Sequence, residues 1–179
     1  MGIEQLEKIL FPPIVPVDRP VANGWSEAEK KLGKLPEDYK RFIEIYGTGS
    51  IDGFIWILSP FTSNKNLNLL DQAQIKISAL IDLSENFGEA LPYPLFPNQN
   101  GLLPFGTTDN GDVLFWQMAN NPTDWKVIIN ASREPKWEQY DVGIVDFLVG
   151  LLTRKIICEV FPEDFPSNQP VFYPNALTG

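Results

Sequence analysis

Chemistry near neutral pH needs side chains that titrate or attack there, and this sequence offers few. It contains no histidine and a single cysteine. A Ser-His-Asp triad, a Cys-His pair and a His-ligated zinc are therefore excluded, and one thiol cannot build a thiolate metal site. Cys158 lies in the run Ile156-Ile157-Cys158-Glu159-Val160 and reads as a small buried hydrophobe rather than a nucleophile. A Walker loop, Gly-x-x-x-x-Gly-Lys-Ser/Thr, is absent. Gly47-Thr48-Gly49 with Gly53 is glycine-rich, but it follows an expected helix and precedes an expected strand. A phosphate-binding loop needs the reverse order, so that a helix N-terminus faces the anion. Asp109-Asn110-Gly111-Asp112 gathers oxygens, yet it lacks the acid at every second position and the closing glutamate of a calcium loop. It reads as a hairpin turn. With 23 acids in the chain, carboxylate pairs at the ~5–10 Å separation of glycoside hydrolysis arise by chance. No lysine lies in an apolar run that would desolvate it. The inventory therefore predicts neither cofactor nor metal and speaks against an enzyme.

The elements that must position these residues come from a chain of 179 residues, 44% hydrophobic and 12% aromatic. That is enough for one domain with a ring-rich core and no covalent staples. The net charge is −9, spread over the three thirds as −2, −4 and −3. Such a surface repels phosphate backbones and suits a basic protein partner. One unpaired cysteine suits a reducing compartment. The first residues carry Glu4, Glu7 and Lys8 and lack the basic and apolar regions of a signal peptide, and no apolar run approaches the ~18 residues of a membrane span. A cytoplasmic protein is expected, with no membrane and no direct nucleic-acid contact.

Residues 1–10 read as a short helix stopped by Pro12-Pro13, and Phe11 to Asn23 as a proline-rich extended arm. Ser26-Glu27-Ala28-Glu29 has the form of a capping box and predicts a helix start. Pro36 suits a first helical position, Tyr39, Phe42, Ile43 and Tyr46 form one apolar stripe, and Gly47 ends that helix. Thr48 to Gly53 reads as a turn and Phe54 to Leu58 as a buried strand. Leu67 to Phe87 reads as a helix with Asn66 as its cap and Gly88 as its end. Leu102 to Phe105 and Val113 to Met118 flank the Asn-Gly turn as strands, with Pro104 expected at a strand end or sheet edge. Trp125 to Asn130 reads as a strand buried on both faces, Trp137 to Tyr140 as a further strand, and Gly143 to about Lys155 as a helix capped by Asp141. Pro162 to Gly179 reads as an irregular tail. Trp56 and Trp125 are expected in the core, whereas Trp116 and Trp137 could face a cleft. Strands joined by tight turns predict an α+β fold, an antiparallel sheet with helices packed mainly on one side. The expected division is an arm over 1–24, a domain over 25–160 and a tail over 161–179, all in one structural unit.

Leu35-Pro36-Glu37-Asp38-Tyr39-Lys40-Arg41-Phe42, followed by Tyr46-Gly47, resembles the "LPxDYKxFL…NGG" opening of the SUKH superfamily. Leu103-Pro104-Phe105-Gly106-Thr107-Thr108-Asp109-Asn110-Gly111-Asp112, with Trp116 after it, is similar to the family's "hPFGxxxxGD" segment. Phe147 to Leu152 is similar to its closing "SFxxFLxxL" helix. The resemblance spans roughly residues 25–155; it departs at Gly47-Thr48-Gly49, where the asparagine of Asn-Gly-Gly is missing, and the proline-rich ends lie outside it. The family holds yeast cell-wall-synthesis regulators of the Smi/Knr type and many bacterial immunity proteins. The resemblance implies an α+β binding module, in the immunity case one that neutralises a cognate polymorphic toxin, often a nuclease. An acidic face including Asp52, Asp109 and Asp112, with Trp116 or Tyr93 as aromatic anchor, is the expected contact with a basic toxin domain. A regulatory scaffold of the cell-wall-synthesis type is the alternative, and a polysaccharide-acting enzyme the third reading.

Overall fold

The computed structural model describes residues 2–176; Met1 and residues 177–179, the ends of the expected first helix and of the tail, lie outside them. In chain order the elements are α1 (Ile3–Ile9), α2 (Gly24–Leu32), α3 (Glu37–Tyr46), β1 (Gly49–Ile51), β2 (Ile55–Ile57), α4 (Leu69–Phe87), β3 (Leu102–Thr108), β4 (Val113–Gln117), β5 (Lys126–Asn130), β6 (Trp137–Tyr140), α5 (Ile144–Leu152) and β7 (Phe172–Pro174). The strands form one sheet in the order β6-β5-β4-β3-β2-β1-β7, and every neighbouring pair is antiparallel. The α+β architecture is as the strand-and-turn pattern predicts.

Alternation along the strands builds two cores. In β4, Leu114 and Trp116 point to one face and Val113 and Phe115 to the other; in β5, Val127 and Ile129 oppose Ile128. The first face packs against α1, α3 and α5 through Leu6, Leu10, Tyr39, Phe42, Phe147 and Leu148. The second is covered by α4, through Ile77 and Leu80, and by Leu95 of the following loop. Burial on both faces explains why β5 reads Val127-Ile128-Ile129 without a polar break. Two buried phenols fix the helical layer: Tyr39 donates to the Leu58 carbonyl at 2.7 Å and Tyr46 to the Leu10 carbonyl at 2.6 Å.

Several local expectations shift. The helix placed at Ser26 begins at Gly24, one turn earlier than the capping-box pattern indicates. Asn68, not Asn66, caps α4, its side chain accepting from Leu70 and Asp71 N–H. Gly143 rather than Asp141 precedes α5, and the carboxylate that caps this helix comes from α3: Asp38 accepts from Val145 N–H at 3.2 Å. The segment Thr48–Gly53 is not all turn, because Gly49–Ile51 forms β1 of a hairpin with β2. Pro104 sits in the central strand rather than at an edge, tolerated where the β3–β4 register shifts between Pro104 and Gly106. The tail is not wholly irregular, since Phe172–Pro174 adds β7 beside β1. The flanking segments join the core at both ends, through Leu6 and Leu10 and through Phe161 and Phe172. Val17 is paired with Gly47, with Thr48 N–H donating to its carbonyl at 2.9 Å. Gly47 has φ +69°, and a Cβ there would lie 2.1 Å from the Val17 oxygen, so the arm's anchor requires glycine.

Candidate functional site

Strand register brings three of the five expected contact residues to one end of the sheet. Ile55 faces Thr108, Val113 faces Asn130, and Asn130 faces Trp137, so the turns at 52–54, 109–112 and 131–136 lie side by side. Asp52, Asp109 and Asp112 therefore gather there, but two of them serve the fold. Asp112 is 4% exposed; its carboxylate accepts from the Thr108 hydroxyl at 2.7 Å and from Ser132 N–H at 2.9 Å. Asp52, with φ +53°, accepts from Ser167 N–H at 2.9 Å, the Ser167 hydroxyl at 3.2 Å and Val171 N–H at 2.8 Å. Only Asp109 presents an exposed side chain.

Trp116 cannot be a surface anchor. It faces Leu103 toward the far end of β4 and is 0% exposed, with ring centroids of Tyr39, Phe105 and Trp125 4.8, 4.9 and 5.5 Å away. Its parity with Leu114 puts it on the face covered by α1, α3 and α5. Tyr93 is half-buried beside Trp137, ring centroids 5.8 Å apart, and its hydroxyl donates to Gln139 Oε1 at 3.2 Å. Burial, with Asp141 nearby, holds its phenol above the usual range.

Trp137, the other cleft candidate, does line a concavity. A groove of about 680 Å³ runs between α4 and the second face of the sheet. Val113, Phe115 and Trp137 contribute from the sheet, Leu80 and Leu83 from α4, and Leu91 and Pro92 from the loop beyond it. Lys76, Glu89, Arg133 and Glu134 also border it, and none of these four enters an ion pair among the described residues. Chemically the groove offers apolar and aromatic contact area with both signs of charge around it.

The outer face of α4 is a separate surface. Ile75, Ser78, Asp82, Glu85 and Glu89 follow one another at intervals of three or four and are all exposed. Phe87, 73% exposed, stands at the end of the helix. The last turn holds no basic residue, although the negative end of a helix dipole favours cations there. Sequence reading identified the helix but not this face, because a helical spacing of exposed acids marks any solvated helix face and does not by itself single out a contact.

Elsewhere the titratable groups are structural. Asp38 is held above the usual carboxylate range by burial, against hydrogen bonds from Val145 and Tyr39 N–H and with the Asp146 charge adding to the effect. Burial pushes the Cys158 thiol up to about 12. Among the described residues no group of three or more His, Cys, Asp or Glu could hold a metal ion, and no helix is long and apolar enough to cross a membrane.

Against known proteins, the family model SUKH_6, described as SMI1-KNR4 cell-wall, matches residues 23–148. The matched segment runs from the residue before α2 to the middle of α5. Comparison with curated proteins and with solved structures finds no match.

Proposed function

This chain belongs to the SMI1-KNR4 family, and we propose that it is a non-catalytic protein-binding module: a cytoplasmic immunity protein that neutralises a basic toxin domain, of nuclease chemistry, by docking it. The outer face of α4 carries this reading. Asp82, Glu85 and Glu89 stand unneutralised by any basic residue in the helix's last turn, beside exposed Ile81 and Phe87. A nuclease must attract phosphates, so its active face is basic; an acidic face steers encounter and an apolar residue slows release. The expected acidic contact thus moves from the turn end, where Asp52 and Asp112 are engaged internally, to α4, with Asp109 as the exposed carboxylate of the turns. A regulatory scaffold of cell-wall synthesis is the second reading, favoured by the description of the matching family. A polysaccharide-acting enzyme is the reading least supported, since Asp38, Asp52 and Asp112 are occupied by backbone and hydroxyl donors.

The test is co-expression with the toxic domain encoded beside this gene, followed by gel filtration. Restored growth, a stable complex, and at least tenfold weaker binding for Asp82→Lys/Glu85→Lys support the immunity reading. No protection and no complex would overturn it, and capture of a housekeeping cell-wall enzyme in its place would establish the scaffold reading.

A further inference from the structure

The proline-rich arm ends in an apolar tip that the fold leaves uncovered. Ile14 is 101% exposed, Phe11 77% and Val15 75%. No charged residue occurs between Leu10 and Val17. The segment is nevertheless fixed at both ends: Leu10 is buried in the first core and its carbonyl accepts from Tyr46, while Val17 pairs with Gly47. Pro12, Pro13 and Pro16 restrict the backbone between these anchors. A stiff, uncharged apolar loop exposing three large side chains loses little conformational entropy on docking, and soluble proteins rarely present such a patch without a use for it.

The same chain holds a complementary receptor. The groove between α4 and the second sheet face is apolar and aromatic, and charges of both signs border it without ion pairs among the described residues. The arm is followed by Asp18-Arg19, one charge of each sign. Neither enters an ion pair among the described residues. Lys76 or Arg133 suits Asp18, and Glu89 or Glu134 suits Arg19. The arm cannot fill its own groove, because its anchors lie on the side of the sheet covered by α1, α3 and α5 and the groove opens on the α4 side. We infer that the Phe11–Val15 tip of one copy seats in the α4–sheet groove of a second copy, so that the chain self-associates through arm-in-groove contacts. This goes beyond the proposed function and uses the groove rather than the outer face of α4, the two meeting at Glu89.

The two contacts answer salt in opposite ways. Arm docking is mainly apolar and joins molecules that each carry −9, so screening their net repulsion outweighs the weakening of the flanking Asp18 and Arg19 contacts and strengthens it, whereas an acidic face on a basic partner weakens as salt rises. The test is light scattering and sedimentation of the full chain from 5 to 500 µM in roughly 50 and 500 mM salt, a range that shortens the screening length severalfold. The expected result is an average mass rising with concentration above 20.2 kDa without a plateau at the dimer, because an arm and a groove on opposite sides join copies head to tail, with stronger association at high salt. Ile14→Asp on the arm and Ala79→Glu in the groove are both at exposed positions, where substitutions usually change stability little. Each alone weakens association at least tenfold, and mixing the two restores part of it, because the arm of one variant meets the intact groove of the other. A monomer at every concentration, or association indifferent to both substitutions, would overturn the inference. Neither outcome bears on toxin binding through α4.

Discussion

Asp112→Ala is the sharpest test of whether the carboxylates of the turn end belong to the fold or to a partner. The buried carboxylate accepts from the Thr108 hydroxyl at 2.7 Å and from Ser132 N–H at 2.9 Å, joining the β3–β4 hairpin to the turn between β5 and β6. Hydrogen bonds to a charged acceptor contribute about 1.5–3 kcal/mol each. Water re-solvates the exposed Ser132 side, while the Thr108 hydroxyl stays buried, so the lower end of that range applies and the expected loss is about 3 kcal/mol. In a domain of this size that corresponds to a fall in Tm of about 6–12 °C. Asp112→Asn keeps one acceptor oxygen and should cost about 1 kcal/mol. Urea unfolding of the three proteins, with exposed Asp109→Ala as a control within about 0.5 kcal/mol, gives the ranking directly. A loss below 0.5 kcal/mol for Asp112→Ala, or loss of partner binding by a variant still folded, would refute the structural assignment.

Asp52→Gly tolerates the positive φ and deletes the three bonds that hold residues 167 and 171; a cost of about 1–2 kcal/mol is expected, with hydrogen exchange accelerated at the residue-52 amide, which bonds the Val171 carbonyl, more than in β4. With its thiol near 12, Cys158 should be alkylated at pH 8 roughly 10²- to 10³-fold more slowly than a cysteine of ordinary pKa, as mass spectrometry of timed iodoacetamide reactions would show. For Glu29, burial opposes ionisation, but the hydrogen bonds from Lys40 and Leu35 N–H outweigh it and hold the carboxyl below its ordinary 4.5. Its stabilising contribution is therefore present above that value and lost as pH falls through the lower folded value. The Tm gap between the parent and Glu29→Gln should close on acidification below pH 4.5, and a constant gap would contradict the linkage. Asp82→Lys/Glu85→Lys, which weakens the proposed docking, should raise stability by about 0.5–1 kcal/mol because cations suit the end of α4, measurable by urea unfolding.

How far the sequence could be read depended on the range of the interaction concerned. The stripe Tyr39, Phe42, Ile43, Tyr46 is local, and all four are buried in α3 as the spacing demands. Asp109-Asn110-Gly111-Asp112 is local too, and it makes the β3–β4 turn with Gly111 at φ +90°. Caps set by distant residues were not legible. Asp38 caps α5 across 107 positions, whereas local spacing points to the neighbouring Asp141. β7 needs β1 beside it, and Phe172-Tyr173-Pro174 alone has too few residues to declare a strand. Trp116 and Trp137 are alike in composition and strand context; they differ in parity relative to a helical layer that only the tertiary fold supplies.

That difference in range also divides the acids that produce the net charge. Glu29, Asp38, Asp52 and Asp112 accept backbone or side-chain hydrogen bonds, and each replaces a local cap or turn contact that the chain's own propensities do not provide. Among the described residues, Glu85 and Glu89 do nothing of the kind at the end of α4, and Asp82 bonds only its helical neighbour Asn86. Set against the helix dipole, they cost the isolated fold stability. A local rule broken without a compensating contact inside the molecule is expected where a surface serves something outside it. On this ground the proposed docking surface is placed on α4, whereas Asp52 and Asp112 of the turn end serve the scaffold and exposed Asp109 does not.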